Sequence, residues 1–287
     1  VAAGPTLCHA EPQRSISVAS VSEPSAPSSL TAPAAFNTSL VSIEDDGYLT
    51  DIVTGDDVGE REAYYARSKL RVEFDNLATL TLRGAISHDQ NDAIALNSAL
   101  DGNSSARRTS PSTVIPDEPY EAASDMNNTN KVNSKSASYT LAFHLDSLEV
   151  TATGSYQQAE MRFVSDSDRT KLVGSYNDIS YDDDAWSQEI LVASTNGGGF
   201  EWTTGAFFYT GTDETAPQIV QPNVQYIDTR METDAWAVFG EATWRVGEQL
   251  YLTGGGRYSA EQRDYRYQQT IPTLMRGSDD ASFNNFT

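Results

Sequence analysis

From residue 63 onward apolar side chains recur at every second position, and a period of two that persists through segment after segment admits only pleated strands. In residues 63–74 one face carries Ala66, Ser68, Leu70, Val72 and Phe74, and the other carries Tyr65, Arg67, Lys69, Arg71 and Glu73. The turn residues Asp75 and Asn76 then lead to Leu80, Leu82, Gly84 and Ile86, set against Thr79, Thr81, Arg83 and Ser87, which makes a hairpin. The unit recurs. Tyr139, Leu141, Phe143 and Leu145 pass through Asp146-Ser147 into Leu148, Val150, Ala152, Gly154 and Tyr156. Residues 186–194 turn through Asn196-Gly197-Gly198-Gly199 into Phe200, Trp202, Ala206 and Phe208. Trp236, Val238, Gly240, Ala242, Trp244 and Val246 turn through Gly247-Glu248 into Leu250, Leu252, Gly254, Gly256 and Tyr258. With a short strand near residues 40–44 the pattern predicts about eight or nine strands of roughly nine to twelve residues, long enough to cross a bilayer at a tilt.

The connections alternate in length. Between the hairpins lie polar stretches at residues 88–135, 157–184, 210–231 and from 262 onward. Long structureless loops count against a compact soluble sandwich. Short turns on one side and long loops on the other are the habit of outer-membrane barrels. The expected fold is therefore all-β, an antiparallel up-and-down transmembrane β-barrel in the form of a curved meander, with long loops on one side. Its lipid-facing row contains Trp202, Phe208, Trp236, Val238, Trp244, Leu250, Leu252 and Tyr258, with aromatics near the strand ends as in interfacial girdles. The lumen-facing row contains Arg67, Lys69, Arg71, Arg83, Glu149, Glu189, Arg257 and Glu261. Exchanging the faces would put these charges into hydrocarbon, at several kcal/mol each. Packed between two layers instead, the same apolar rows would make a soluble β-rich protein of the carbohydrate-binding kind.

Composition enters as a set of exclusions. No apolar run is long enough for a transmembrane helix, and a mean hydropathy of -0.47 is no obstacle to a barrel whose strands alternate. With 41 Asp and Glu against 19 Lys and Arg the formal net charge is -22, which sets nucleic acid aside as a partner. The single Cys8 and the scattered His9, His88 and His144 predict no metal site and no disulfide framework. Neither a catalytic set nor a cofactor motif is present: Gly197–Gly199 form a turn and Gly254–Gly256 lie within a strand. The acidic runs, among them Asp182-Asp183-Asp184, read as solvated loop charge, since EF-hand spacing is absent after Asp166 or Asp182. Substrate-binding candidates in the external loops are Tyr181, Asp182, Asp183, Asp184, Tyr265 and Tyr267; the tyrosines fit equally well as girdle aromatics. Residues 1–38, rich in Ser, Pro and Ala, are expected to be a disordered or non-barrel segment, and residues 39–287 the partial barrel. Val1 is not the start of a signal peptide, and residues 282–287 follow a long polar stretch, where another strand should begin.

Several runs, taken in order, resemble the barrel of TonB-dependent receptors. They are Asp46-Gly47-Tyr48 with residues 54–59, the stretch Trp186-Ser187-Gln188-Glu189-Ile190-Leu191-Val192-Ala193-Ser194, and Phe200-Glu201-Trp202 leading to Gly205-Ala206-Phe207-Phe208-Tyr209. Residues 237–244, residues 250–259 and the terminal residues 283–287 continue the likeness, which covers about residues 42–287. The resemblance implies a Gram-negative outer-membrane receptor for energised uptake of a bulky nutrient such as an iron chelate, cobalamin or a glycan. It also implies outer-membrane lipid and lipopolysaccharide as surroundings, a small-molecule cargo, and TonB engaged through a segment not present in this chain. A passive porin-like barrel is the alternative, and nothing points to an enzyme.

Overall fold

The computed structural model describes residues 14–23, 33–92, 113, 115, 116, 118–172, 176–220, 225–271 and 273–287. Among them there is no helix. The strands are β1 (Arg14–Glu23), β2 (Ala34–Asp51), β3 (Asp57–Phe74), β4 (Ala78–Asn91), β5 (Glu121–Ala122), β6 (Thr129–His144), β7 (Leu148–Asp166), β8 (Tyr176–Ser194), β9 (Phe200–Val220), β10 (Gln225–Val246), β11 (Leu250–Gln269) and β12 (Met275–Phe286). Each pairs antiparallel with the next in one 12-stranded sheet; only β5 leaves the path, pairing in parallel with the end of β2. β1 pairs with β2 alone and β12 with β11 alone, so the sheet is not closed within the described residues.

Four sequence expectations change. β1 and the start of β2 fall in residues 1–38, which were expected to lack regular structure. Pro33 stands just before β2, outside the ladder, and Ile16 and Val18 supply β-branched alternation in β1. The strand expected to begin at residues 282–287 begins earlier, at Met275, and these residues belong almost wholly to it as part of β12. Third, the strands are far longer than nine to twelve residues, β10 having 22 and β9 21. Last, the supposed long loops are largely strand: residues 221–224 and 270–274 are all that separate β9 from β10 and β11 from β12. Of the expected long connections, the one between β4 and β6 keeps its length, and most of it lies outside the described residues.

Among the described residues no second layer packs on the sheet. The buried apolar side chains are mostly alanines, such as Ala63, Ala78, Ala185 and Ala237, whereas Val238 is 47% exposed, Leu252 51% and Trp244 56%. A soluble sandwich buries its large apolar residues between sheets; here they stand on one open face. At the far end, a small buried cluster joins the β4–β6 and β7–β8 connections, with Ala122, Ala123, Ser124, Asp166 and Thr170 all hidden.

Candidate membrane face and inner wall

Paired residues on neighbouring antiparallel strands point to the same side. Following the register from Trp236 to Phe208 and Tyr258 to Val238, and onward across the sheet, puts all eight expected lipid-facing residues on one face. All eight expected lumen-facing residues lie on the other, linked by pairs such as Lys69 with Arg83 and Arg257 with Phe239. β1 departs from this division, because Ile16 and Val18 pair with Ile43 and Val41 on the face of Arg67.

The apolar face is divided along its length. Beside the turns at residues 75–77, 145–147, 195–199 and 247–249 it carries no Asp, Glu, Lys or Arg until after Leu40, Ile86, Tyr156, Trp186, Phe208, Trp236 and Tyr258. In β10 this charge-free zone is residues 236–246. At about 3.3 Å per residue and a tilt near 45° it rises roughly 25 Å, the height of the apolar band of a membrane barrel.

The aromatics that end the zone climb diagonally: Trp186 pairs with Thr210 and meets Phe208 one step along (ring centroids 5.6 Å), and Trp236 likewise meets Tyr258 (5.5 Å). A row that is level in a bilayer must cross the ladder this way when strands are tilted.

Polar side chains inside the zone are bonded internally. Gln188 Oε1 accepts from the Tyr139 hydroxyl at 2.6 Å, and its Nε2 donates to the Glu189 carbonyl at 3.1 Å. Gly154 lets the Tyr139 ring lie flat enough to reach it, since a Cβ there would collide with the ring. Thr204 donates to the Phe239 carbonyl, Thr38 and Ser68 bond each other, and Ser194 Oγ accepts the Trp202 N–H, each at 2.9 Å. Hydrocarbon offers polar groups no partner, so such internal pairing is what it demands.

The opposite face is polar, with its charges sorted by strand. β3 and β4 bring Arg67, Lys69, Arg71 and Arg83; β6 and β7 bring Ser136, Ser138, Thr140, Thr151, Thr153 and Ser155; β7 to β10 bring Glu149, Glu189, Glu201 and Glu241. Arg257 stacks on Phe239 (5.5 Å), whose ring lies over Gly205 where a Cβ would sit 2.6 Å from it.

The substrate-binding candidates lie in strands, not in loops: Tyr181 and Asp182–Asp184 in β8, Tyr265 and Tyr267 in β11. The register divides them. Tyr181, Asp183, Tyr265 and Tyr267 share the face of Glu189 and Arg257, while Asp182 and Asp184 fall with Trp186. A consecutive acidic run could have been assigned to one surface only if it were loop. Beside Tyr181 the ladder slips on both sides of β9, between Ile179 and Tyr181 and between Ile227 and Thr229. The extra residues opposite are Ala216 and Pro217, and proline has no N–H to give to either neighbour. Asp183 directly faces Asp213, and burial, then the charges of Asp213 and Asp182, push its carboxyl above the usual range. Residues missed by sequence reasoning are Asp213 and Arg263, which lie on this same face in stretches without apolar alternation.

In the buried cluster beyond, Asp166 Oδ1 accepts the N–H groups of Asp168 and Arg169, and Asn128 Oδ1 accepts the Asp166 N–H at 2.7 Å. Asp166 is 2% exposed and its Oδ2 is unpartnered, so burial, then the neighbouring charge of Asp168, raises its pKa. Among the described residues no three His, Cys, Asp or Glu side chains are placed to hold a metal ion.

The family model described as TonB dependent receptor-like, beta-barrel matches residues 46–287. Among solved structures, the ferric yersiniabactin uptake receptor FyuA from Yersinia pestis matches with a TM-score of 0.72 and 12% identity over 96% of this chain and 42% of that one. The ferric-catecholate import receptor Fiu from E. coli K12 gives 0.61 and 12%, over 96% and 49%. The siderophore receptor PiuA from Acinetobacter baumannii gives 0.61 and 9%, over 88% and 42%. At such identities the likeness is one of fold, and the chain spans less than half the length of each receptor. No curated protein matches it in sequence. With the family match covering most of the sequence and the sheet order of the barrel running through it, the chain belongs to the TonB-dependent receptor family, in its β-barrel domain.

Proposed function

We propose that this chain is barrel wall of an outer-membrane receptor that takes up a bulky nutrient by energised transport, and that the cargo is an iron chelate. The observation that carries the reading is the charge-free zone on a single face across nine neighbouring strands, β2 to β4 and β6 to β11. In this reading Trp202, Phe208, Trp236, Val238, Trp244, Leu250, Leu252 and Tyr258 face lipid, the Arg67 and Arg257 face lines the lumen, and lipopolysaccharide surrounds the parts beyond the aromatic row. Tyr181, Asp183, Tyr265 and Tyr267 face the cargo path. Asp182 and Asp184, on the outer face, do not. The printed names of the structural relatives concern ferric chelates and siderophores, which supports iron over cobalamin or a glycan. TonB would act through a segment outside this chain.

Two measurements test it. Nitroxide labels at single cysteines replacing Val238 and Leu252, with Cys8 removed, are expected to be relaxed by oxygen and shielded from a water-soluble nickel chelate, and labels at Ser259 the reverse. Water-soluble relaxation at Val238 ends the membrane reading. Uptake of ferric chelates by cells carrying the full-length protein is expected to stop when the proton-motive force is collapsed; uptake that persists identifies a passive porin instead.

A further inference from the structure

On the face of Trp236 the sheet is notched at one place. Ser68, Gly84 and Ala137 stand side by side on β3, β4 and β6, and the register carries the row on to Tyr156 of β7. The row nearer the turns is bulky, with Leu70, Leu82 and Tyr139, and the row above holds Ala66, Ile86 and Lys135. Small side chains between large ones leave a depression of about 380 Å³, bounded by Ile86, Lys135 and Tyr156. It lies within the sheet and not at its edge, because every strand that lines it has a hydrogen-bonded neighbour on both sides, from β2 through to β8.

Two bonds keep neighbouring side chains out of the notch. The Ser68 hydroxyl is tied to Thr38 Oγ1 on β2 at 2.9 Å, so the polar group of the floor is satisfied away from it. The Tyr139 ring is drawn the other way, across Gly154, to donate to Gln188 on β8 at 2.6 Å. A Cβ at Gly84 would meet nothing nearer than the Ser136 carbonyl, at 3.9 Å, so the opening begins at the backbone itself. Tyr156 forms the side wall, its hydroxyl donating up the strand to Gln158 at 3.3 Å.

The upper rim is charged. Lys135 is the first charged side chain on this face of β6 beyond the turn, and its ladder partners are the neutral Ile86 and Gln158. Glu160, the first acid on this face of β7, accepts the Gln158 amide at 3.2 Å. A lysine at this level lays its stem on apolar surface and keeps its ammonium at the boundary with water. An apolar trough with a cation at its rim is complementary to an acyl chain that ends in an anionic head group.

We propose, on the reading of this face as membrane-facing, that the notch seats one acyl chain of an outer-leaflet lipid whose phosphate pairs with Lys135. Lipid is then held at one place on the wall, beyond the general contact made by the apolar band.

Native mass spectrometry of the purified full-length protein in detergent, titrated with bisphosphorylated lipid A and with its phosphate-free form, tests this. The wild type should retain one lipid A molecule, and the phosphate-free form about fivefold more weakly. Gly84→Leu fills the notch and should weaken retention about tenfold. Ala242→Leu, on the same face of β10, should change it less than about twofold. Lys135→Gln should bring lipid A down to the level of the phosphate-free form and leave the latter unchanged, whereas Lys135→Arg should retain lipid A, which separates lost charge from lost folding. No retained lipid, equal retention of the two forms, undiminished retention in Gly84→Leu or an equal loss in Ala242→Leu would mean annular lipid only and overturns the proposal. Each of these results leaves the membrane reading intact, since that is judged by label accessibility at Val238.

Discussion

Two halves of the same strands differ sharply, and they differ in side chains rather than in backbone. In β10 the hydrogen-bonded ladder runs without a break from Val246 up through Trp236 and on to Thr229. Below the aromatic row the two faces are chemically opposite. Above it both carry polar groups, with Glu232, Arg230 and Asp234 on the face of Trp236 and Thr233, Asp213 and Arg263 on the other. The three slips in ladder register, at Asp46/Leu49, Ile179/Tyr181 and Ile227/Thr229, all lie in the upper half. A slip leaves a backbone group without its ladder partner, which water forgives and hydrocarbon does not. What the contrast teaches is that main-chain pairing makes the strand, whereas the solvent on each face selects the side chains.

The largest effect expected from this contrast comes from a charge in each half. Val238→Arg should destabilise the folded protein in lipid vesicles by roughly 2–4 kcal/mol. Thr233→Arg, on the same strand beyond the aromatic row, should shift stability by less than about 0.5 kcal/mol. Urea unfolding followed by tryptophan fluorescence reads both, and equal costs would remove the distinction between the halves.

A sharper comparison uses two tyrosine hydroxyls that make the same bond in different surroundings. Tyr139 donates to Gln188 Oε1 at 2.6 Å within the zone, and Tyr267 donates to Gln269 Oε1 at 2.6 Å beyond it. Tyr139→Phe leaves an amide oxygen facing lipid and should cost about 1–2 kcal/mol, while water replaces the partner lost in Tyr267→Phe, for less than about 0.5 kcal/mol. The same unfolding assay applies, and a reversed order would mean that the zone is hydrated.

The smallest effect lies in the buried cluster of the upper half. The Asp166 carboxyl is raised above its unfolded range by burial, so the native state holds its proton more tightly than the unfolded state does. Its contribution is therefore most favourable below the unfolded carboxylate pKa and declines as pH rises through the raised folded value. Asp166→Asn keeps an oxygen for the N–H groups of Asp168 and Arg169 and removes the buried charge. It should stabilise residues 124–128 and 166–170 against local opening by about 1 kcal/mol at neutral pH. Amide exchange there should lose its pH dependence beyond the intrinsic rate; exchange that accelerates in the variant would contradict this.

The amino-acid sequence alone carried the lower half of the sheet. Alternation at residues 66–74, 78–86, 139–156, 186–208 and 236–258 located hairpins, turns and faces, because an apolar face on one side and a polar face on the other force a period of two. The tertiary structure decided the rest. β12 and the upper strands carry no such period, since where both faces are polar almost any side chain satisfies either, and only pairing with an already placed neighbour fixes them. That is why Asp182 and Asp184 parted from Asp183: which side of a sheet a residue occupies is set by its cross-strand partner, and partners 30 residues away are invisible in a local run of carboxylates. Lys69 and Arg83 were present in the sequence as separate letters, but their meeting across β3 and β4 depended on a register fixed by the turn at residues 75–77.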